Sequence, residues 1–168
     1  MENSATIIIA IFLAAILMFI FPLMTMADKQ DEMAKLAVTT ATTEFTNKIR
    51  VTGKITQEDY DNFILALAAT GNAYDVEIII QVLDENPAKK STTGTTTIGN
   101  NVYYVEFTSQ VLKSLPRRQK EGDMVTVKVK NTNTTIFGEL RNFVYRVTGN
   151  TTGTIAADMT VMVTKTAQ

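Results

Sequence analysis

Cysteine and histidine are both absent from this chain. Without cysteine there is no disulfide, no thiol nucleophile and no thiolate metal site, and the chain suits either redox compartment. Without histidine it lacks the commonest general base and metal ligand. An excess of charge is lacking too: 16 Lys and Arg stand against 17 Asp and Glu, for a net charge of −1. Such a balance argues against electrostatic capture of nucleic acid, which needs a dense cluster of basic residues. Nor is there a Gly-rich phosphate loop, a nucleophile elbow or a zinc spacing.

Acidic pairs do occur, at Asp59 and Asp61, Asp84 and Glu85, and Glu121 and Asp123. Each has a structural reading, respectively a helix first turn, a strand end and a loop before a strand. A calcium loop needs several alternating oxygen ligands within about a dozen residues, and Asp84 to Ser91 does not supply them. The basic residues Lys113, Arg117, Arg118 and Lys120 read first as a solvated charge run, with contact to phosphate or to an acidic neighbour as the alternative. The chain is therefore expected to be no enzyme, with no cofactor, no metal site and no nucleic-acid partner.

What the chain does have is one long hydrophobic run, Ala5 to Ala27, without a charged residue. As a helix rising ~1.5 Å per residue it would be roughly 35 Å long, enough to cross a bilayer's hydrocarbon core. It is apolar all round, so it needs lipid or other copies of itself as cover. Small residues at Thr25 and Ala27 could suit a signal-peptide cut. The leader holds Glu2 and no basic residue, however, and the apolar core is long for a signal, so a retained anchor is expected. Residues 1–27 thus form a transmembrane or filament-core helix, and 28–168 an exposed domain.

Past the anchor, Asp28 to Arg50 places Met33, Leu36, Ala37, Ala41, Phe45 and Ile49 at spacings of three and four, which predicts an amphipathic continuation of the helix. Pro22 cannot donate to the Met18 carbonyl, so a kink or local melting is expected there. The Thr-rich stretch from Thr39 to Thr46 is a weak helix former. Gly53 suits the left-handed position that ends a helix. A second helix, Gln57 to Thr70, starts at Thr56 with Asp59 completing a capping box, buries Tyr60, Phe63, Ile64, Leu67 and Ala68, and stops at Gly71.

The pattern then turns to β. Tyr74 to Leu83, Val102 to Phe107, Met124 to Lys130, the alternation Phe143, Tyr145, Val147, and Ile155 to Val163 read as strands, with Lys89 to Asn101 and Gly149 to Gly153 as loops. Thr108 to Leu115 is either a short helix or an extension of the preceding strand. Short loops and one-sided patterning favour antiparallel pairing. The fold class is α+β: a long N-terminal helix packed on an antiparallel sheet, with a short helix inserted between them.

In its apolar run from Thr6 to Phe21, Pro22 near the end of that run, the amphipathic continuation and the stretch FTNKIRVTGKITQEDYDNFILALAATGNAYDVEI from Phe45 to Ile78, the chain resembles type IV pilin-like and Tad-like subunits, and more narrowly the small pilin-like proteins of Gram-positive conjugative elements. The resemblance implies a structural subunit of an extracellular pilus-like filament or pseudopilus, polymerising through the apolar helix. Its implied partners are sister copies, the membrane before assembly and the assembly machinery. It implies a body outside the cell and an N-terminus at the cytoplasmic end. The family's acid near the mature N-terminus, which pairs with a neighbour's amine, has only Glu2 as its counterpart, and no Gly-ended basic leader precedes the helix. The expected polymer interface comprises Glu2, Ile7, Ala10, Ile11, Ala14, Ala15, Leu17, Met18 and Phe21, where alanines allow close approach and large side chains fill gaps. A different class remains: a monomeric, single-pass anchored accessory or binding domain of a secretion or conjugation system.

Overall fold

The computed structural model describes residues 2–84, 103–133 and 155–167, the side chains of 2 and 3 excepted. Its elements are α1 (Glu2–Thr52), β1 (Lys54–Ile55), α2 (Gln57–Ala68), β2 (Tyr74–Leu83), β3 (Tyr103–Phe107), α3 (Thr108–Lys113), β4 (Arg117–Arg118), β5 (Met124–Asn131) and β6 (Ala156–Met162). The expected loops at 89–101 and 149–153 and the expected strand around Phe143, Tyr145 and Val147 lie outside the described residues.

The sheet is antiparallel in the order β3-β2-β5-β6, and β1 pairs with β4 in a separate two-stranded ribbon. Register lines up Ile78 with Val127 and Ile80 with Val125. On the next strand Met159 stands opposite Val127, and Val161 opposite Val125. These side chains share one face because successive residues of a strand point to opposite sides. The other face is wet: Glu77 and Lys128 stand opposite each other as an ion pair at 3.9 Å, and the Thr126 and Thr160 hydroxyls bond across the strands at 2.9 Å. The long helix lies on the apolar face, giving the expected α+β arrangement.

The buried stripe of α1 differs from the expected one. It consists of Ala34, Val38, Thr42, Phe45, Thr46 and Ile49, whereas Met33 and Leu36 are 71% and 69% exposed. Small and β-branched side chains let the helix axis lie close to the sheet. Threonine fills such positions because each hydroxyl is satisfied by a carbonyl one turn back: Thr42 donates to the Val38 oxygen at 2.7 Å and Thr46 to that of Thr42 at 2.8 Å. The same bond recurs at Thr39, Thr43 and Thr52, which keeps a weakly helical composition helical. A pattern reading that counts Thr as polar shifts the stripe toward Met33 and Leu36.

Around Pro22 the helix runs unbroken, so the expected melting does not occur. Proline removes one donor and leaves the rest of the ladder, and the nearby Thr25 hydroxyl donates to the Phe21 carbonyl at 3.1 Å. In α2 the capping box forms as expected, with the Asp59 N–H donating to Thr56 Oγ1 at 3.1 Å and Thr56 N–H reaching the Asp59 carboxylate. The helix ends at Ala68 rather than Thr70, and Ala68 is exposed, so the buried face is carried by Phe63 and Leu67. Phe63 stacks on Phe45 with centroids 4.6 Å apart, which fastens α2 to α1. Thr108 to Lys113 is a helix, not more strand, because Gln110 reaches back to the Phe107 N–H at 3.0 Å.

The C-terminal end of α1 is where distant parts of the chain converge. Gly53 has φ of 64° and donates to the Ile49 carbonyl at 2.8 Å, while Thr164 N–H donates to the Arg50 carbonyl at 3.0 Å. The Gly53 carbonyl accepts from Gln119 N–H at 2.6 Å, and Gln119 in turn accepts from Ala167 N–H at 3.1 Å. Carbonyls that a helix end leaves unpaired are thereby satisfied by the chain's own tail. A side chain at position 53 has no room, since an ideal Cβ would sit 2.5 Å from the Lys165 oxygen and 2.9 Å from the Ala167 nitrogen. Gly71, with φ of 77°, has nothing within 4 Å of such a Cβ. Gly53→Ala should therefore destabilise the body by more than the ~1–2 kcal/mol of left-handed strain alone, and Gly71→Ala by no more than that; urea unfolding of the two variants in detergent measures the difference.

Candidate functional site

Among the described residues, α1 is the one helix long and apolar enough to cross a membrane, and none of its most apolar stretch of 18 residues is buried by the rest of the chain. Ile7, Ala10, Ile11, Ala14, Ala15, Leu17, Met18 and Phe21 are all exposed. The Glu2 side chain lies outside the description. Because α1 is helical throughout, the geometry of this surface follows from rotation by about 100° per residue. Projected that way, the expected interface residues from Ile7 to Phe21 fall within one half of the helix circumference, with Ile7, Ile11, Ala14 and Met18 near its centre.

Most of that half is turned away from the body, although the buried Thr46 projects near its edge. Ala34, Val38, Thr42 and Ile49, which meet the sheet, project to the other side of the same cylinder. Met33 and Leu36, exposed above the run, project onto the same half as Ile7 and Met18, as do Lys29 near its centre and Met26 at its margin. One exposed stripe thus extends from the apolar run along the lower body. The remaining circumference is no less apolar, with Ile8, Ile9, Phe12 and Phe19 also exposed. No single side of the run is marked for contact by composition alone.

The acidic and basic clusters are engaged in holding the fold. Asp59 completes the α2 cap and pairs with Lys48 of α1. Burial pushes its carboxyl up, but hydrogen bonds from Lys48 and Thr56 and the Lys48 charge outweigh that and hold it below the usual range. The hydrogen bond to Asp59, followed by its charge, raises Lys48. Asp61 accepts from the Gln57 amide at 2.8 Å, and Asp84 accepts from the Tyr104 hydroxyl at 2.8 Å. Glu85 lies outside the described residues.

Asp123 is buried and knits three segments. Its carboxylate accepts from the N–H groups of Leu83 at 2.9 Å and Lys120 at 2.8 Å, and its carbonyl accepts from Val163 N–H at 2.8 Å. Arg117 departs from the reading as a solvated charge: it is half-buried in β4 and pairs with Glu106 at 2.8 Å. Lys113, Arg118 and Lys120 are exposed.

No protein-family model matches the chain, and neither a curated protein nor a solved structure does. Among the described residues, the uncovered stretch of α1 is the largest apolar surface without protein cover.

Stability should depend on acid through Asp59. A carboxyl depressed in the folded state contributes stability that is fully present above its unfolded value near 4 and lost as pH falls through the lower folded value. Asp59→Asn should lower stability near neutrality by ~1 kcal/mol and flatten the decline below about pH 4. Urea midpoints of the two proteins between acid and neutral pH supply the check.

Proposed function

We propose that the chain is a structural subunit of an extracellular pilus-like filament or pseudopilus, held in the membrane by α1 and polymerising through it. The observation that carries this reading is the wholly uncovered apolar run, joined without a break to the helix that forms the body's core. A segment apolar on every side leaves lipid only when sister helices replace the lipid. The helix-on-sheet α+β layout supports the likeness to type IV pilin-like subunits that the sequence suggests. Body residues engaged in capping, ion pairing and strand stitching fit a structural role better than a catalytic one.

In the filament, the half of α1 centred on Ile7, Ile11, Ala14 and Met18 meets neighbouring copies. Alanines at 10, 14 and 15 allow backbones to approach, and Phe21 and Leu17 fill the space between. A single Asp in this run costs ~3 kcal/mol at the bilayer centre, against a favourable total from the many apolar residues around it. Ile11→Asp and Leu17→Asp should consequently remain membrane-bound while losing assembly. Electron microscopy of sheared surface material, with membrane fractions assayed in parallel, tests this. Fibres as abundant as those of the unaltered chain would remove the helix from the contact, and a chain found solely as a membrane-bound monomer would favour an anchored accessory domain instead.

A further inference from the structure

Below the body, between α1 and the C-terminal end of α2, runs a groove of about 560 Å³ lined mainly by Met26, Met33, Ala37, Ala66 and Ala69, with Lys29 among its polar residues. Helix α2 runs back along α1: Asp59 meets Lys48, Phe63 stacks on Phe45, and Ala66 and Ala69 face the level of Met33 and Ala37. Its end therefore points toward the apolar run. No stalk separates the two. The run closes at Ala27, which is already 8% exposed and so packed by protein.

We propose that in the anchored chain this groove lies in the headgroup layer and takes phospholipid, seating the body directly on the bilayer. The proposal rests on α1 being a membrane anchor and not on assembly into filaments. With Ala27 at the hydrocarbon boundary, the α1 wall of the groove from Met26 to Ala37 rises roughly 16 Å, so the groove opens into the headgroup layer at its lower end. The headgroup region beyond the hydrocarbon is about 5–7 Å thick on each side, so the lower half of the wall lies within it and the upper half, with Ala37, stands just above. The apolar lining continues the surface that lipid covers one turn below. Lys29 supplies a cation at phosphate level. Asp28, Asp31 and Glu32 flank it, so the collar has no net positive charge and the ligand is a zwitterionic phospholipid as readily as an anionic one.

The absence of cysteine makes the test clean, because each probe site is then unique. Ala69→Cys, Glu58→Cys and Leu13→Cys variants of the full chain carry a small fluorophore in phosphatidylcholine vesicles, some doped with headgroup nitroxide lipid and others with acyl-chain nitroxide lipid. Acyl-chain quenching at position 13 reports anchoring. Headgroup quenching several-fold greater at 69 than at 58, roughly 16 Å away along α2, supports the proposal, as does its loss on adding Met33→Glu with position 13 still quenched. Quenching at 13 with equal, weak quenching at 69 and 58 overturns the proposal and leaves the anchor standing. No quenching at 13 overturns both. A probe at 69 shielded from lipid nitroxide and from aqueous iodide, with energy transfer between labelled copies, assigns the groove to a second chain and overturns it as well.

Discussion

The constraint on which the rest of the structure depends is that α1 is unbroken from Glu2 to Thr52, so an apolar surface without protein cover and the helix at the centre of the body share one axis. A flexible joint between them would let the body move independently of whatever surrounds the run. A continuous backbone ladder does not. Any medium that takes in the apolar half also fixes where the body sits and which of its faces point outward. The exposed surface of the apolar run therefore continues through Met26, Met33 and Leu36 along the body.

Such a helix must satisfy two environments in one chain, and composition along it changes accordingly. In the lower part, large aliphatic and aromatic residues face outward on all sides. In the upper part, the contact side combines the small Ala34, Val38, Thr42 and Thr46 with the larger Phe45 and Ile49, all buried. Threonine back-bonding resolves what would otherwise be a conflict, because a buried hydroxyl without a partner costs about 1–3 kcal/mol. The upper end is then locked by Thr164 on Arg50 and by the stacked contacts over Gly53, while Asp59 and Phe63 hold α2 alongside.

Local chemistry was readable in the sequence to the extent that its causes are local. Thr56 and Asp59 sit three residues apart, and Gly53 follows a helical run, so cap and stop could be placed from neighbours alone. The start of β2 follows from the alternation of Tyr74, Val76 and Ile78 with Asp75 and Glu77. By contrast, Asp123 accepts bonds from Leu83 and Lys120, Arg117 finds Glu106 across two elements, and the tail closes over Gly53. No spacing rule announces such pairings, because they arise only once the sheet has brought distant segments together. The misplaced stripe on α1 has another origin: hydrophobic periodicity registers Met33 and Leu36 and overlooks threonines whose hydroxyls are already satisfied. As for the candidate surface, the apolar run itself was plain, but which half of it faces away from the body required the position of the sheet.

The stripe also bears on what would drive assembly. For side chains already in lipid, exchanging hydrocarbon for a sister helix gains little hydrophobic free energy, since the two surroundings are about equally apolar. Ile7, Ile11 and Met18 would thus contribute by shape, through the close approach that Ala10, Ala14 and Ala15 allow. Leu36 stands above the run and outside the groove, where burying a large side chain from water is worth about 1.5–3 kcal/mol. In the filament reading the net driving force then comes disproportionately from this exposed position, and the lipid-buried run supplies registry. A polymer built that way would hold together mainly by contacts that water, and not the bilayer, makes favourable.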